Sequence, residues 1–232
     1  MSVTELRLAA TSEASLVDLL HEANHRIANH LSLLSSMVQL QATEVARGPA
    51  VLPREAVQSI LSEMAGKIVA VGHLHRRLAL QPSRDVVNLC DYLLEACAAL
   101  ISSLGLAKRV GLVQRLSANC HVTTEQAHQI GLIVCEIIMN AAKHAHPTGI
   151  PVQICLVCRS AGDGRMTVEI GDDGVGLPEG TDLEHPRGVG MKLIQSLAAA
   201  LKADLRIESD ALGLNFLITL PPDVRPIVVA AR

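Results

Sequence analysis

An α+β fold is predicted for this chain, with an N-terminal helical hairpin followed by a layered domain of helices and strands. Two observations set the order. Residues 15–46 and 54–80 carry helical periodicity and are separated by RGPAVLP, whose Gly and two prolines break a helix. After Gln81-Pro82 the pattern changes to an alternation of helices and strands, the mark of a layered α+β domain. A third observation sets the core chemistry. Hydrophobic residues make up 49% of the 232, yet there is one Tyr, one Phe and no Trp, so the core is built from Leu, Ile, Val, Ala and Met.

In the second helix Val57, Leu61, Met64, Ile68, Val71, His75 and Leu78 recur at spacings of four and three, a heptad stripe. Leu20, Ala23, Ile27, His30, Leu34 and Met37 form a looser stripe in the first. Two helices with one seam each bury little alone, so a homodimer is expected, two hairpins making a four-helix bundle. With Leu20 and Ile27 on the seam, His25 falls on the outward face beside His21 and Asn29.

The second part reads as a helix near 87–104, a strand near 109–116 and a helix near 123–145. Strands follow near 151–158 and 166–171, then a Gly-rich loop, a helix near 189–202 and strands near 204–209 and 214–220. A mixed or antiparallel sheet covered by helices on one face is the expected architecture. The expected divisions are 1–82 for the hairpin, 83–222 for the layered domain and 223–232 for a tail.

Composition excludes several roles. A net charge of −3 and the near absence of aromatic rings leave neither an electrostatic footprint nor stacking platforms for nucleic acid, and no broad attraction to an anionic membrane. The most apolar run, Gly131 to Ala142, is interrupted by Glu136, well short of the about 20 apolar residues of a membrane span. The N-terminus carries Glu5, Arg7 and Glu13 and no apolar run with a small-residue cleavage site, so a cytoplasmic protein is expected. The six cysteines then read as reduced, buried thiols. Cys155 and Cys158 have CxxC spacing, but in a strand residues three apart face opposite ways and no second CxxC supplies further ligands.

Three constellations carry chemistry. In GLIVCEIIMNAAKHAHP, Glu136, Asn140, Lys143 and His144 fall at i, i+4, i+7 and i+8, one polar stripe on an otherwise apolar helix. An acid, an amide oxygen and two cations in line suit phosphates and a hydrated divalent cation, because Mg²⁺ favours hard oxygen ligands. A solvated face would give the same spacing. The second is EIGDDGVGLPEG, where Asp172 ends a strand and Gly174 and Gly176 let a ligand approach the backbone. A carboxylate there can accept a hydrogen bond from an exocyclic amine. The third is Gly188-Val189-Gly190-Met191, opening a helix whose N-terminal amides suit phosphate oxygens.

Each motif is weak alone, and their order gives them force. E-x-x-x-N with a downstream Lys-His, then DxGxG, a loop over 177–187, GxG and a terminal hairpin resemble the N, G1 and G2 boxes of the GHKL ATP-binding domain of histidine kinases, Hsp90-type chaperones, gyrase B and MutL. The likeness covers residues 85–221. Ahead of it, Glu22 and HRIANHL (25–31) with SLLSSMVQLQA resemble the H-box of the HWE-related subgroup of sensor histidine kinases, and IVAVGHLHRRLAL the end of their second dimerisation helix.

That resemblance implies a GHKL-type α/β sandwich, ATP and Mg²⁺ as ligands, and autophosphorylation of His25 followed by transfer to an aspartate on a response-regulator receiver domain. Asn140 would hold Mg²⁺, Asp172 the adenine amine, and Glu136 a metal water. Lys143 and His144 would offset phosphate charge, and Gly174, Gly176, Gly188 and Gly190 would shape the pocket and its lid. Glu22, one turn before His25, is the candidate acceptor of the imidazole proton, and Asn29 would orient the ring. Asp173 stands where the subgroup often has Asn, and Gly213-Leu214-Asn215 where Gly-Thr is customary; either substitution is expected to weaken nucleotide binding. About fifteen residues ahead of the hairpin are too few for a sensory domain, so the expectation is either input from a separate sensor protein or a chain that is a core module.

HEANH (21–25) also matches the His-Glu-x-x-His signature of zinc metalloproteases, with Glu44 near the position of a third ligand in thermolysin-like enzymes. The extended metzincin pattern fails, since Ala28 and Leu31 stand where Gly and His are required. A protease would also leave the three constellations without purpose. The competing reading of the whole chain is a phosphotransfer or scaffold protein with an inactive nucleotide pocket.

Overall fold

The computed structural model describes residues 24, 27–28, 31–32, 34–79, 86–117, 120–161, 163–186 and 188–222. His21, Glu22, His25, Asn29, the junction at residue 82 and the tail from 223 lie outside them. Residues 34–47 form helix α1 and Arg54–Ala79 form α2. Then come β1 (Val86–Asn88), α3 (Leu89–Ser103), β2 (Val110–Leu116), β3 (His121–Thr123) and α4 (Thr124–His144). The chain continues through β4 (Val152–Ser160), β5 (Met166–Asp172), α5 (Val189–Ala200), β6 (Asp204–Asp210) and β7 (Gly213–Leu220).

Five strands make one sheet in the order β2-β4-β5-β7-β6, with β2 and β4 parallel and the other neighbours antiparallel. The sheet is therefore mixed, as one of the two expected patterns had it. Strand alternation places Ile154, Leu156, Cys158, Val168, Ile170, Phe216 and Ile218 on one face, all buried. Ile130, Ile133, Ile137 and Ile138 of α4 are fully buried in the same core. The opposite face carries Gln153, Arg159, Thr167, Asn215 and Thr219, which keep contact with solvent. An aliphatic core with a single Phe is thus packed between one sheet face and its helices.

Two short strands, β1 and β3, pair antiparallel outside this sheet, and sequence periodicity did not show them. They set helix starts. Asn88 caps α3, its side chain accepting from the Cys90 amide at 3.0 Å. Thr123 and Gln126 form a reciprocal capping box at the start of α4, satisfying orphan amides that would otherwise cost stability.

Helix α2 packs on α3 and α4 at two glycines. A side chain at Gly131 would meet Leu74 Cδ2 at 2.8 Å and Tyr92 Cε1 at 3.0 Å, and one at Gly66 would meet Met139 Sδ at 3.2 Å. Lys67, Ala70, Val71 and Leu74 are buried on this side of α2. Leu61 and Ile68, from the predicted seam, are 62% and 50% exposed. The hairpin thus has one apolar face against the layered domain and a second that is uncovered in the single chain.

Candidate functional site

The last turns of α4, the loop after β5, the first turn of α5 and the core-facing side of β7 enclose a cavity of about 630 Å³. That volume is typical of small-molecule sites. Asn140, Lys143, His144, Asp172, Gly176, Gly188 and Gly190 line it, with Leu214 and Phe216 as an apolar wall. The hairpin contributes Gln41 and Glu44 from α1 and Ile60 and Glu63 from α2. Seven residues singled out from three separate motifs are therefore brought to one cavity.

Asp172 closes β5, and its Oδ1 accepts a hydrogen bond from the Gly174 amide at 2.9 Å. Burial holds its carboxyl above the ordinary range, opposed by the Gly174 and Leu214 amides. Gly174 does not line the cavity. Its Cα lies against Ala145 so closely that a Cβ would come within 2.6 Å of that residue's Cα and Cβ, and the Val175 amide donates to the Ala145 carbonyl at 3.0 Å. Gly176 has φ of +69°, the left-handed region that favours glycine, and it packs against Asp210 and Ser209. The Leu177 amide donates to Ser209 Oγ at 2.7 Å. The DDGVG segment is thus clamped to the end of α4 on one side and to β6 on the other.

Asp173 faces away from the cavity. Its Oδ1 accepts from the Gln153 amide at 2.8 Å and lies 3.1 Å from His146 Nε2, tying the start of β4 to the turn after α4. Asn215 is also turned outward, its Nδ2 donating to Glu169 Oε1 at 3.2 Å on the far sheet face. Asp173 and Asn215 therefore serve the scaffold, whereas Leu214, which stands where Thr is customary, supplies cavity wall.

Helix α5 begins at Gly188 with no side-chain cap, leaving its first amides and positive dipole end at the cavity. Gly190 lies directly over the α4 stripe, where a Cβ would collide with the Glu136 carboxylate and come within 3.3 Å of Asn140 Nδ2. At Gly188 a Cβ would meet open space.

Glu136 does not line the cavity. It is 2% exposed and pairs with Lys67 Nζ of α2 at 3.1 Å; Lys67, 3% exposed, also pairs with Glu63 at 3.0 Å. Burial pushes the Glu136 carboxyl up, and the Lys67 charge opposes the shift. Glu63 in turn binds Lys143 at 2.9 Å, while Glu44 of α1 binds Lys192 of α5 at 2.6 Å. For Glu63 burial raises the carboxyl pKa, but Lys143 and Lys67 together outweigh it and the net shift is downward. His144 is shifted down by burial, then by the Lys143 charge.

Sequence reasoning missed Lys67, Glu63 and Lys192, and placed Glu44 only in a zinc reading. The one local signal was the Glu63–Lys67 spacing of four, common on any solvated helix. Among the described residues, one group of three metal-ligating side chains is close-packed: Cys90, Cys120 and Cys158, with sulfurs within 4.8 Å of one another. All three are buried; burial pushes the Cys90 thiol up to about 12 and Cys158 further, and Cys90 Sγ donates to the Ser117 carbonyl. A thiol raised in this way, as those of Cys90 and Cys158 are, stays protonated and is a poor nucleophile.

Fold and site together define a GHKL-type ATP-binding domain joined to a helical hairpin. Comparison with known families and proteins makes the assignment specific. Residues 22–104 match the family model described as Histidine kinase, and residues 104–213 that of the Histidine kinase-like ATPase domain. The two matches together span 22–213, and the chain belongs to the histidine kinases.

Among curated proteins it is 27% identical over 220 residues to Blue-light-activated histidine kinase 2 of Erythrobacter litoralis, covering 91% of this chain and 59% of that one. It is 22% identical over 198 residues to Sensor histidine kinase PdtaS of Mycobacterium tuberculosis, covering 85% and 38%. The chain thus spans less than two thirds of the length of either relative. The fold matches the solved histidine kinase domain of an Erythrobacter litoralis blue-light activated histidine kinase, with a TM-score of 0.64, 22% identity, and 92% and 94% of the two chains covered. No helix among the described residues is long and apolar enough to cross a membrane.

Proposed function

We propose that the chain is the catalytic core of a cytoplasmic histidine kinase that phosphorylates His25 from ATP and passes the phosphoryl group to a receiver aspartate. The observation that carries this reading is the convergence of Asn140, Asp172 and the uncapped start of α5 on one cavity. Each supplies what one part of ATP requires. The Asp172 carboxylate accepts from an exocyclic amine, Leu214 and Phe216 give a flat base an apolar wall, and the α5 amides with Lys143 and His144 meet phosphate oxygens. Domain limits near 82 and 222 belong to the same proposal.

The donor chemistry fits Mg²⁺. Asn140 presents a hard amide oxygen beside Lys143 and His144, and a divalent cation there would neutralise charge on the phosphates. Glu136, behind Asn140 and neutralised by Lys67, would act on a metal-bound water only indirectly. It is a positioning residue in this scheme.

In the transfer, an unprotonated ring nitrogen of His25 attacks the γ-phosphorus in line, a P–N bond forms, the bond to the bridging oxygen breaks, and ADP leaves. The other ring nitrogen gives up its proton, with Glu22 the proposed acceptor and Asn29 the proposed orienting group. A neutral imidazole with pKa near ~6.5 is a competent nucleophile at pH 7. The phosphoramidate then transfers to a carboxylate of the receiver domain, giving an acyl phosphate and restoring the imidazole. The exposed seam residues Leu61 and Ile68 support a homodimer through the hairpin.

Titration of Mg-ATP into the full chain tests the pocket. Asn140→Ala is expected to abolish Mg-dependent affinity while leaving the folded signal intact. Undiminished affinity in that variant would reject the pocket assignment.

A further inference from the structure

Two ion pairs cross from the hairpin to the ATP-binding domain at the edge of the same cavity. Glu63 Oε2 of α2 holds Lys143 Nζ at 2.9 Å, and Glu44 Oε1 of α1 holds Lys192 Nζ at 2.6 Å. Both carboxylates line the cavity, and Lys192 is carried by the first turn of α5, whose amides also face it. Lys143 lines the cavity, whereas Lys192 does not and meets its rim through Glu44, so a lysine in the cavity and a lysine beside it are both held by anionic oxygens of the same chain.

We propose that Glu44 and Glu63 are built-in phosphate surrogates, and that Lys192 joins Lys143 as a phosphate-binding residue of this pocket. Nucleotide phosphates and the hairpin carboxylates then compete for the same two ammonium groups. The proposal rests on the nucleotide reading above and adds to it a partner for each cation and a coupling to the hairpin.

The exchange is inexpensive because each displaced carboxylate has a second cation on its own helix. Glu63 keeps Lys67, one turn along α2 at 3.0 Å, and Glu44 has Arg47 at 3.9 Å on α1. Neither is left as an orphaned charge, which would be the main obstacle to release. Polyphosphate brings more negative charge than one carboxylate and adds the α5 amides as donors, so it wins the competition when bound. Its arrival cuts both ties of α1 and α2 to the rim while Lys67–Glu136 stays closed. The hairpin's hold on the phosphate end of the cavity is thereby governed by nucleotide.

The test compares Mg-ATP and adenosine binding by the full chain. Glu44→Gln and Glu63→Gln keep shape and remove charge. Each is expected to tighten Mg-ATP binding by about two- to fivefold, the scale of a partly exposed ion pair, and to leave adenosine affinity unchanged. Lys192→Ala placed in the Glu44→Gln background is expected to weaken Mg-ATP binding again, still without effect on adenosine. Equal or weaker Mg-ATP binding by the double variant E44Q/E63Q, with wild type binding normally, would overturn the surrogate proposal and leave the nucleotide pocket standing. Failure of wild type and double variant alike to bind either molecule would overturn the nucleotide reading and this proposal with it. Binding of Mg-ATP only by the double variant would be its strongest support.

Discussion

Lys67 on α2 and Glu136 on α4 form an ion pair at 3.1 Å, with both side chains almost wholly removed from solvent. A buried pair contributes little net stability when intact, but removing one partner strands a charge in the core. Lys67→Ala is therefore expected to destabilise the fold by about 3–5 kcal/mol, measured by urea denaturation, and Glu136→Gln in the same chain to restore part of the loss.

The pH dependence of that variant follows from the sign of the Glu136 shift. Burial already holds the carboxyl above its ordinary range, and Lys67 is the largest influence opposing it. A carboxyl whose pKa is raised by folding takes up its proton sooner in the fold than in the unfolded chain. Its contribution is fully present below the unfolded value and is lost as pH rises through the folded one. Without Lys67 the folded value climbs further, so the deficit of Lys67→Ala should be larger at pH 8 than at pH 5. An equal deficit at both would place the cost in packing alone.

The glycines of the site divide by what a methyl would meet. Gly190→Ala drives Cβ into the Glu136 carboxylate, and Gly174→Ala drives it into Ala145, so each should cost about 1–3 kcal/mol by overpacking. Gly188→Ala meets open space and should change unfolding free energy by no more than about 0.5 kcal/mol. Denaturation of the three variants side by side checks the order.

Asp172→Asn exchanges a carboxylate oxygen for an amide at the proposed base-recognition point. ATP affinity should fall at least about tenfold, the scale of one hydrogen bond to a charged acceptor. Because burial raises this carboxyl, wild-type affinity should decline as pH falls through a value above the usual carboxylate range. Titrations at several pH values would show it, and the Asn variant should lack that decline.

Much of this was legible in the sequence because it is local. The helix expected near 123–145 is Thr124–His144, and the strands expected near 166–171 and 214–220 are Met166–Asp172 and Gly213–Leu220, each announced by its own period. The strands β1 and β3 have three residues each, too few for alternation to register. The buried side of α2 was hidden by its composition, since Gly66 and Lys67 do not look like core. The ion pairs were hidden by distance along the chain. Glu63 and Lys143 are separated by 80 residues and Glu44 and Lys192 by 148, so nothing in either segment names its partner. Asp173 and the Gly213-Leu214-Asn215 segment were legible as departures from a pattern, but only their partners in the fold show that Asp173 and Asn215 turn outward while Leu214 lines the cavity.

The central claim is that this cavity feeds a phosphoryl group to His25. The direct measurement is incubation of the full chain and of His25→Ala with γ-labelled ATP and Mg²⁺, followed by acid and base treatment of the labelled protein. The account predicts label that is lost in acid, survives base and is absent from the variant. Label retained by His25→Ala, or none in wild type that binds ATP, would contradict it.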